Sequence, residues 1–129
     1  RVDYIEDPEL DPVLKRKEIL EIVDEARDVH VDEKVRGYIV DIISYLRERN
    51  ETESGPSTRA SIWLYKGSRV KAMTEGRDYV VPDDVKYLVP YAIPHRIQLT
   101  AEAEASEVSP EDLVEEALEE TAVPKGIES

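Results

Sequence analysis

Between Asp32 and Leu46 the apolar residues Val35, Tyr38, Ile39, Ile42 and Leu46 recur every three or four positions. That spacing gathers them on one stripe of a helix and turns the intervening charges away from it, so the stripe must be buried against something. The pattern is repeated along the chain. Ile19, Ile22, Val23 and Ala26 follow a start at Asp11 and Pro12 and run to about Asp28. Ala60, Trp63, Leu64, Gly67 and Val70 follow Ser57, and Leu113, Val114, Ala117 and Leu118 follow the capping sequence Ser109-Pro110-Glu111-Asp112. A chain built this way is expected to be mainly α, a small bundle of four to five helices with short extended segments between them.

The punctuation sharpens the expectation. Asp32 can cap the second helix, Gly76 stands where a left-handed residue ends the third, and Pro82 suits the first turn of a short fourth helix whose opening carries Asp83 and Asp84. Small residues at 60 and 67 allow close helix packing, and Trp63 reads as an anchor of the bundle core. Asn50 to Pro56 is dense in turn formers and reads as a loop. Residues 29–31, 79–81 and 97–99 read as three short extended pieces that are candidates to pair with one another. The last helix has a thinner apolar stripe and is expected to dock weakly.

Charge narrows the function classes. The 129 residues carry a net charge of −13, and residues 100–129, with ten acids and one lysine, account for −9 of it. A field of that sign opposes the phosphate attraction on which nucleic-acid binding rests. The chain has no cysteine, which removes disulfides and thiolate chemistry and suits a reducing, cytoplasmic setting. No apolar run reaches the roughly 20 residues a membrane helix needs. The chain opens on Arg1 and a run of carboxylates and prolines, and reads as a piece of a longer protein.

Three ordered blocks carry a family resemblance: Gly55-Pro56-Ser57-Thr58-Arg59-Ala60-Ser61, then Gly76-Arg77-Asp78-Tyr79-Val80-Val81-Pro82-Asp83-Asp84-Val85, then His95-Arg96. Together they resemble the C-terminal helical lid of MoxR-type AAA+ ATPases. Tyr4, Pro8, Glu18, Ile19 and Leu20 are similar to the segment that joins core to lid in that family. The resemblance covers roughly residues 1–99 and the last helix more loosely. It implies a connector over 1–11, a helical lid over 12–99 and an acidic C-terminal segment with a terminal helix over 100–129. Two positions depart from the pattern: Val81 stands where Thr or Ser commonly caps the fourth helix, and Pro56 where a small residue is usual.

In such a lid Arg59 would be the sensor-2 arginine, reaching across the cleft to the phosphates of ATP held by the core, with Ser57 beside it at the helix start. A physical argument points the same way, because a cation in the first turn of a helix opposes the macrodipole unless an anion sits there. Lys66, Arg69, Lys71 and Arg77 extend a basic island against Glu75 alone. Lys66, Arg69 and Lys71 read first as a solvated face, Arg77-Asp78 as a local pair, Asp83 and Asp84 as helix-start carboxylates, and His95-Arg96 as packing or interface residues. His30 suits a surface turn. None of these is expected to bind metal or act as a catalytic residue.

A P-loop needs Gly-x-x-x-x-Gly-Lys-[Ser/Thr], and none of the glycines at 37, 55, 67, 76 and 126 precedes a lysine. No β-branched run ends in Asp-Glu either. The segment is therefore half of a site, with ATP and Mg expected in the parent ATP hydrolase rather than on this piece. The resemblance implies a hexameric parent that couples ATP hydrolysis to chaperone-like remodelling or maturation of protein complexes, with the AAA+ core and neighbouring subunits as partners. The competing reading is a stand-alone acidic helical protein-interaction module without a nucleotide role, its third and fourth helices forming the groove.

Overall fold

The computed structural model describes residues 16–127. The proposed helix start at Asp11 and Pro12, and the connector over 1–11, lie outside them. Six α-helices follow in order: α1 (Arg16–Glu25), α2 (Glu33–Arg47), α3 (Thr58–Thr74), α4 (Pro82–Ala92), α5 (Ala101–Ala105) and α6 (Pro110–Glu120). Short 3-10 turns cover Ala26–Asp28 and Pro94–Arg96, and two short strands, β1 (Thr52–Ser54) and β2 (Gln98–Leu99), complete the order. The mainly helical expectation holds.

The core takes up the stripe of the second helix and parts of those of the third and last, but not that of the first. Val35, Tyr38, Ile39, Ile42, Ile43 and Leu46 of α2 meet Ala60, Leu64 and Ala72 of α3 and Val85, Val89 and Ala92 of α4. Val80 and Ile93, from the segments flanking α4, are sealed in the same cluster. Burying a side chain of this size stabilises by about 1.5–3 kcal/mol against leaving it in water. Asp32 caps α2 by accepting from the Lys34 N–H at 2.8 Å. At the end of α3, Gly76 adopts φ +79°. That turns the chain so that the Gly76 N–H reaches the Met73 carbonyl and the Arg77 N–H the Ala72 carbonyl, each at 3.0 Å. The same pair of bonds closes α5, but there the left-handed residue is Glu107, at φ 64°.

α3 and α4 pack closely: a Cβ at Gly67 would lie 3.1 Å from Leu88 Cδ1. The large neighbour on that helix is not where its hydrophobicity suggests. Trp63 is 48% exposed, so the expected core anchor is a surface residue; Leu64, its sequence neighbour, takes the buried position.

Pairing also departs from the expected scheme. Residue 30 bridges residue 79 in parallel, with the His30 N–H donating to Asp78 O at 2.8 Å and the Val80 N–H to His30 O at 2.9 Å. The third extended piece goes elsewhere: Gln98–Leu99 pairs antiparallel with Thr52–Ser54, inside the stretch read as pure loop. Three polar residues with no apolar alternation carry no strand signal, so only the fold brings that partner into view.

α6 docks more tightly than its sequence suggests. Leu113, Val114 and Ala117 are buried against α2, α4 and the turn after α4. Ser109 accepts from the Asp112 N–H at 3.1 Å to cap its start, and Arg49 reaches Glu116 at 3.5 Å across the surface. The reverse holds for α1. None of its residues is buried, and Leu20 is 57% exposed; only Ala26, in the turn beyond it, enters the core.

Candidate functional site: the open end of helix α3

The site is built at the start of α3. Ser57 precedes the helix in extended conformation, at φ −86° and ψ 174°, and its hydroxyl makes no capping hydrogen bond. The first-turn N–H groups of α3 therefore have no side-chain acceptor, an arrangement that favours an anion. Arg59 lies in that first turn, exposed. No hydrogen bond or ion pair joins it to any of the described residues. A cation placed against the helix dipole with no carboxylate beside it is costly by up to about 1 kcal/mol and is relieved by a bound anion.

The rest of the basic island is occupied differently. Arg69 donates through Nε to the Ala26 carbonyl at 3.0 Å, and through its guanidinium to the Arg27 carbonyl, closing the 3-10 turn after α1. Its guanidinium also lies 5.1 Å from the Tyr65 ring, which Arg36 approaches at 5.2 Å. Lys71 binds Glu75 at 2.7 Å and sits 4.7 Å over the Tyr87 ring. The hydrogen bond to Glu75 raises the Lys71 pKa above its ordinary value, and the reciprocal bond lowers that of Glu75. Arg69 and Lys71 are thus structural tethers rather than a merely solvated face, and Lys66 alone of the three is plainly exposed.

Arg77 is a correction as well. Its partner is not the adjacent Asp78 but Asp84, seven residues on, through two bonds of 2.8 Å. Arg77 also donates to the Tyr79 carbonyl at 3.0 Å. Asp84 is 2% exposed and accepts from the Val81 N–H at 2.9 Å. One carboxylate thus supports the start of α4 where Val81 has no side-chain acceptor to offer, and locks the α3–α4 turn. Its hydrogen bonds raise the Arg77 pKa further above its ordinary value. Asp83 and Asp84 do stand in the first turn of α4 as expected, Asp83 exposed and Asp84 buried. His95 is exposed, while Arg96 donates through Nε to Ala92 O at 3.1 Å and closes the end of α4.

Two exposed apolar residues, one of them on the face of α3 that carries Arg59, escape a reading based on charge. Ile62 is 50% exposed one turn along the same face, and Val40 of α2 is 54% exposed across a cleft of about 350 Å³ shared with Arg36, Ile39, Ser61 and Tyr65. Their signal was present, since Ile62 lies three positions from Arg59 and off the stripe of Ala60 and Leu64. Among the described residues no helix is long and apolar enough to cross a membrane, and no cluster of three or more potential metal ligands occurs.

Comparison with known proteins gives this geometry a family. The sequence model of the AAA lid domain matches residues 44–117. The chain is 35% identical to the uncharacterized protein YeaC of Bacillus subtilis, over 89% of this chain and 36% of that protein. It is 31% identical to Chaperone MoxR1 of Mycobacterium tuberculosis, over 92% of this chain and 34% of that protein. A crystal structure of a candidate ATPase from Cytophaga hutchinsonii superposes with a TM-score of 0.78 at 31% identity, over 84% of this chain and 36% of that one. The chain spans about a third of the length of each of these proteins. With the matched segment running from the end of α2 through α3, α4 and most of α6, this chain belongs to the AAA lid domain family, as the lid of a MoxR-family AAA+ ATPase.

Proposed function

We propose that this lid closes over ATP held by the nucleotide-binding core of its parent, and that Arg59 is its sensor-2 residue. The observation that carries the reading is the state of Arg59 itself. It is a first-turn cation, exposed, without a partner among the described residues, beside helix N–H groups that no side chain caps. Every other arginine or lysine of the α3 island except Lys66 is committed to a structural bond. These groups fit a phosphate: one guanidinium can donate two parallel hydrogen bonds, and the helix end adds backbone donors. The magnesium and the catalytic groups belong to the core in this reading, and Ser57 is a neighbour of the phosphates rather than a ligand of metal.

At the level of the whole protein, ATP hydrolysis in a hexameric ring drives chaperone-like remodelling or maturation of protein complexes in the cytoplasm. The resemblance to a protein named as a chaperone supports this part. The direct test is nucleotide affinity of the full-length ATPase, followed with a fluorescent ATP analogue. Arg59→Ala should weaken binding by roughly 10-fold, the loss of one charge-assisted contact, and Arg59→Lys should recover part of it. Equal affinities for all three proteins would remove Arg59 from the phosphates.

A further inference from the structure

Pro90 stands inside α4, where its missing N–H and its ring cost a helix about 3 kcal/mol. It is exposed, so no core packing offsets that cost. A local rule broken at the surface points to a use for the surface. Pro90 and Pro94 line a groove of about 280 Å³ together with Val114 and Leu118 of α6, and the exposed Glu111 and Glu115 complete it. That volume falls just short of the about 300–1,000 Å³ of small-molecule pockets and suits one or two apolar side chains of a bound polypeptide. Next to Pro90, Tyr91 is 72% exposed, with its ring centroid 5.5 Å from that of the exposed Tyr87. Lys71 covers the Tyr87 ring, whereas among the described residues no cation covers that of Tyr91.

We propose that this groove takes a segment of a partner protein in which aliphatic side chains are flanked by lysine or arginine. The aliphatic groups fill the space between the two prolines and the α6 pair Val114 and Leu118. The flanking cations meet Glu111 and Glu115 on the α6 side and the Tyr91 ring on the α4 side. Charge selects this occupant. From Ile97 to Pro124 the chain has no lysine or arginine, and α6 exposes Glu111, Asp112, Glu115, Glu119 and Glu120. The cations on the α4 side are fewer and partly committed: Lys86 is half-buried one turn before Pro90, Lys71 is held by Glu75, and the Nε of Arg96 is held by the Ala92 carbonyl. A second copy seated groove to groove would set the α6 carboxylates against themselves. Among the described residues none of α3 lines the groove, which is therefore a surface separate from the face that carries Arg59.

The experiment uses the full-length ATPase and two fluorescein-labelled peptides of twelve residues. One has central leucines flanked by arginines, and the other has glutamate in place of each arginine. Fluorescence anisotropy follows binding. The proposal expects saturable binding of the arginine peptide, at least about 10-fold tighter than that of the glutamate peptide. Tyr91→Ala, and separately Glu111→Lys with Glu115→Lys, should weaken that binding by about 10-fold or more. Glu102→Lys with Glu104→Lys, an equal change of charge on α5, should alter it by less than about 3-fold. All five positions are exposed, so the fold is kept. Equal binding of the two peptides, equal losses from the α5 and α6 charge changes, no loss from Tyr91→Ala, or no saturable binding of the arginine peptide would each overturn the proposal. Binding to the monomer that is lost when the ring assembles with a non-hydrolysable ATP analogue would overturn it too, by assigning the groove to a neighbouring subunit. No arm of the test involves Arg59, so its failure leaves the sensor reading untouched.

Discussion

Removing the Asp84 carboxylate should unfold this lid more readily than any other single change to its charged residues. In Asp84→Ala, Arg77 loses two bonds of 2.8 Å and the buried Val81 N–H loses its acceptor. Breaking a buried pair from one side costs about 3–5 kcal/mol. The Arg77 side chain retains 20% exposure, so water can partly solvate the stranded cation, and the lower end applies. The orphaned N–H adds about 1 kcal/mol, for a total of about 3–4 kcal/mol. A domain of this size is stable by about 5–15 kcal/mol and shifts by about 4 °C per kcal/mol, so the midpoint should fall by about 12 °C or more. Urea titration and thermal melting followed by circular dichroism measure both. Asp84→Asn, which keeps an acceptor for Val81, should lose about half as much, and Arg77→Leu combined with Asp84→Leu should regain most of the stability. A loss under about 1 kcal/mol for Asp84→Ala would show the pair to be screened like a surface ion pair and refute the reasoning.

Other positions give independent checks. A Cβ at Gly55 would lie 2.8 Å from Arg47 Cγ and 2.9 Å from its Cα, so Gly55→Ala should destabilise by about 1–3 kcal/mol, and an unchanged melt would mean the loop gives way freely. Glu107→Gly should raise stability by up to about 1 kcal/mol, because the left-handed φ of 64° carries a steric cost that glycine lacks; a fall in the midpoint would contradict this. Tyr38 is 1% exposed and its hydroxyl has no hydrogen-bond partner among the described residues. Burial, with a smaller effect from the charge of Asp83, raises its pKa above 10.0. The folded state then holds the phenolic proton at higher pH than the unfolded chain. The resulting stability is whole below the ordinary tyrosine value and is lost as pH rises through the raised one. Tyr38→Phe should therefore be neutral or stabilising by about 1 kcal/mol at pH 7 and should blunt the alkaline loss; a loss above about 1 kcal/mol would reveal a partner for the hydroxyl.

The parts of the fold legible from sequence were those in which local chemistry and burial agree. Asp32, Gly76 and Ser109 mark helix ends by bonds to residues a few positions away, and the stripe from Val35 to Leu46 needs only a helical period to be read. Periodicity does not say what a stripe meets. The α1 residues Ile19, Ile22 and Val23 have the same spacing as those of α2, yet among the described residues α1 meets α3 only along an edge and none of the three is fully buried. Trp63 was drawn to the core by size, although it lies beside Arg59 and Lys66 on the exposed side of α3. Arg77 was matched to its neighbour Asp78, because the turn that carries Asp84 back to it is a property of the folded chain. β1 was missed for the same reason: its partner is more than forty residues away. Arg59 was singled out as a candidate by motif and by its unfavourable place in the helix dipole, two signals that need no tertiary contact.

The measurement that bears most directly on the lid reading is steady-state ATP turnover of the full-length ATPase with Arg59 and with Arg59→Ala, each checked for an unchanged melting temperature. The account predicts a fall of roughly 10-fold or more, modest beside the about 10³ or more associated with arginine fingers supplied in trans, with the fold intact, since the Arg59 side chain is exposed and makes no hydrogen bond or ion pair among the described residues. Turnover equal to that of the unaltered protein would contradict it and leave the α3 face as a binding surface without a part in ATP hydrolysis.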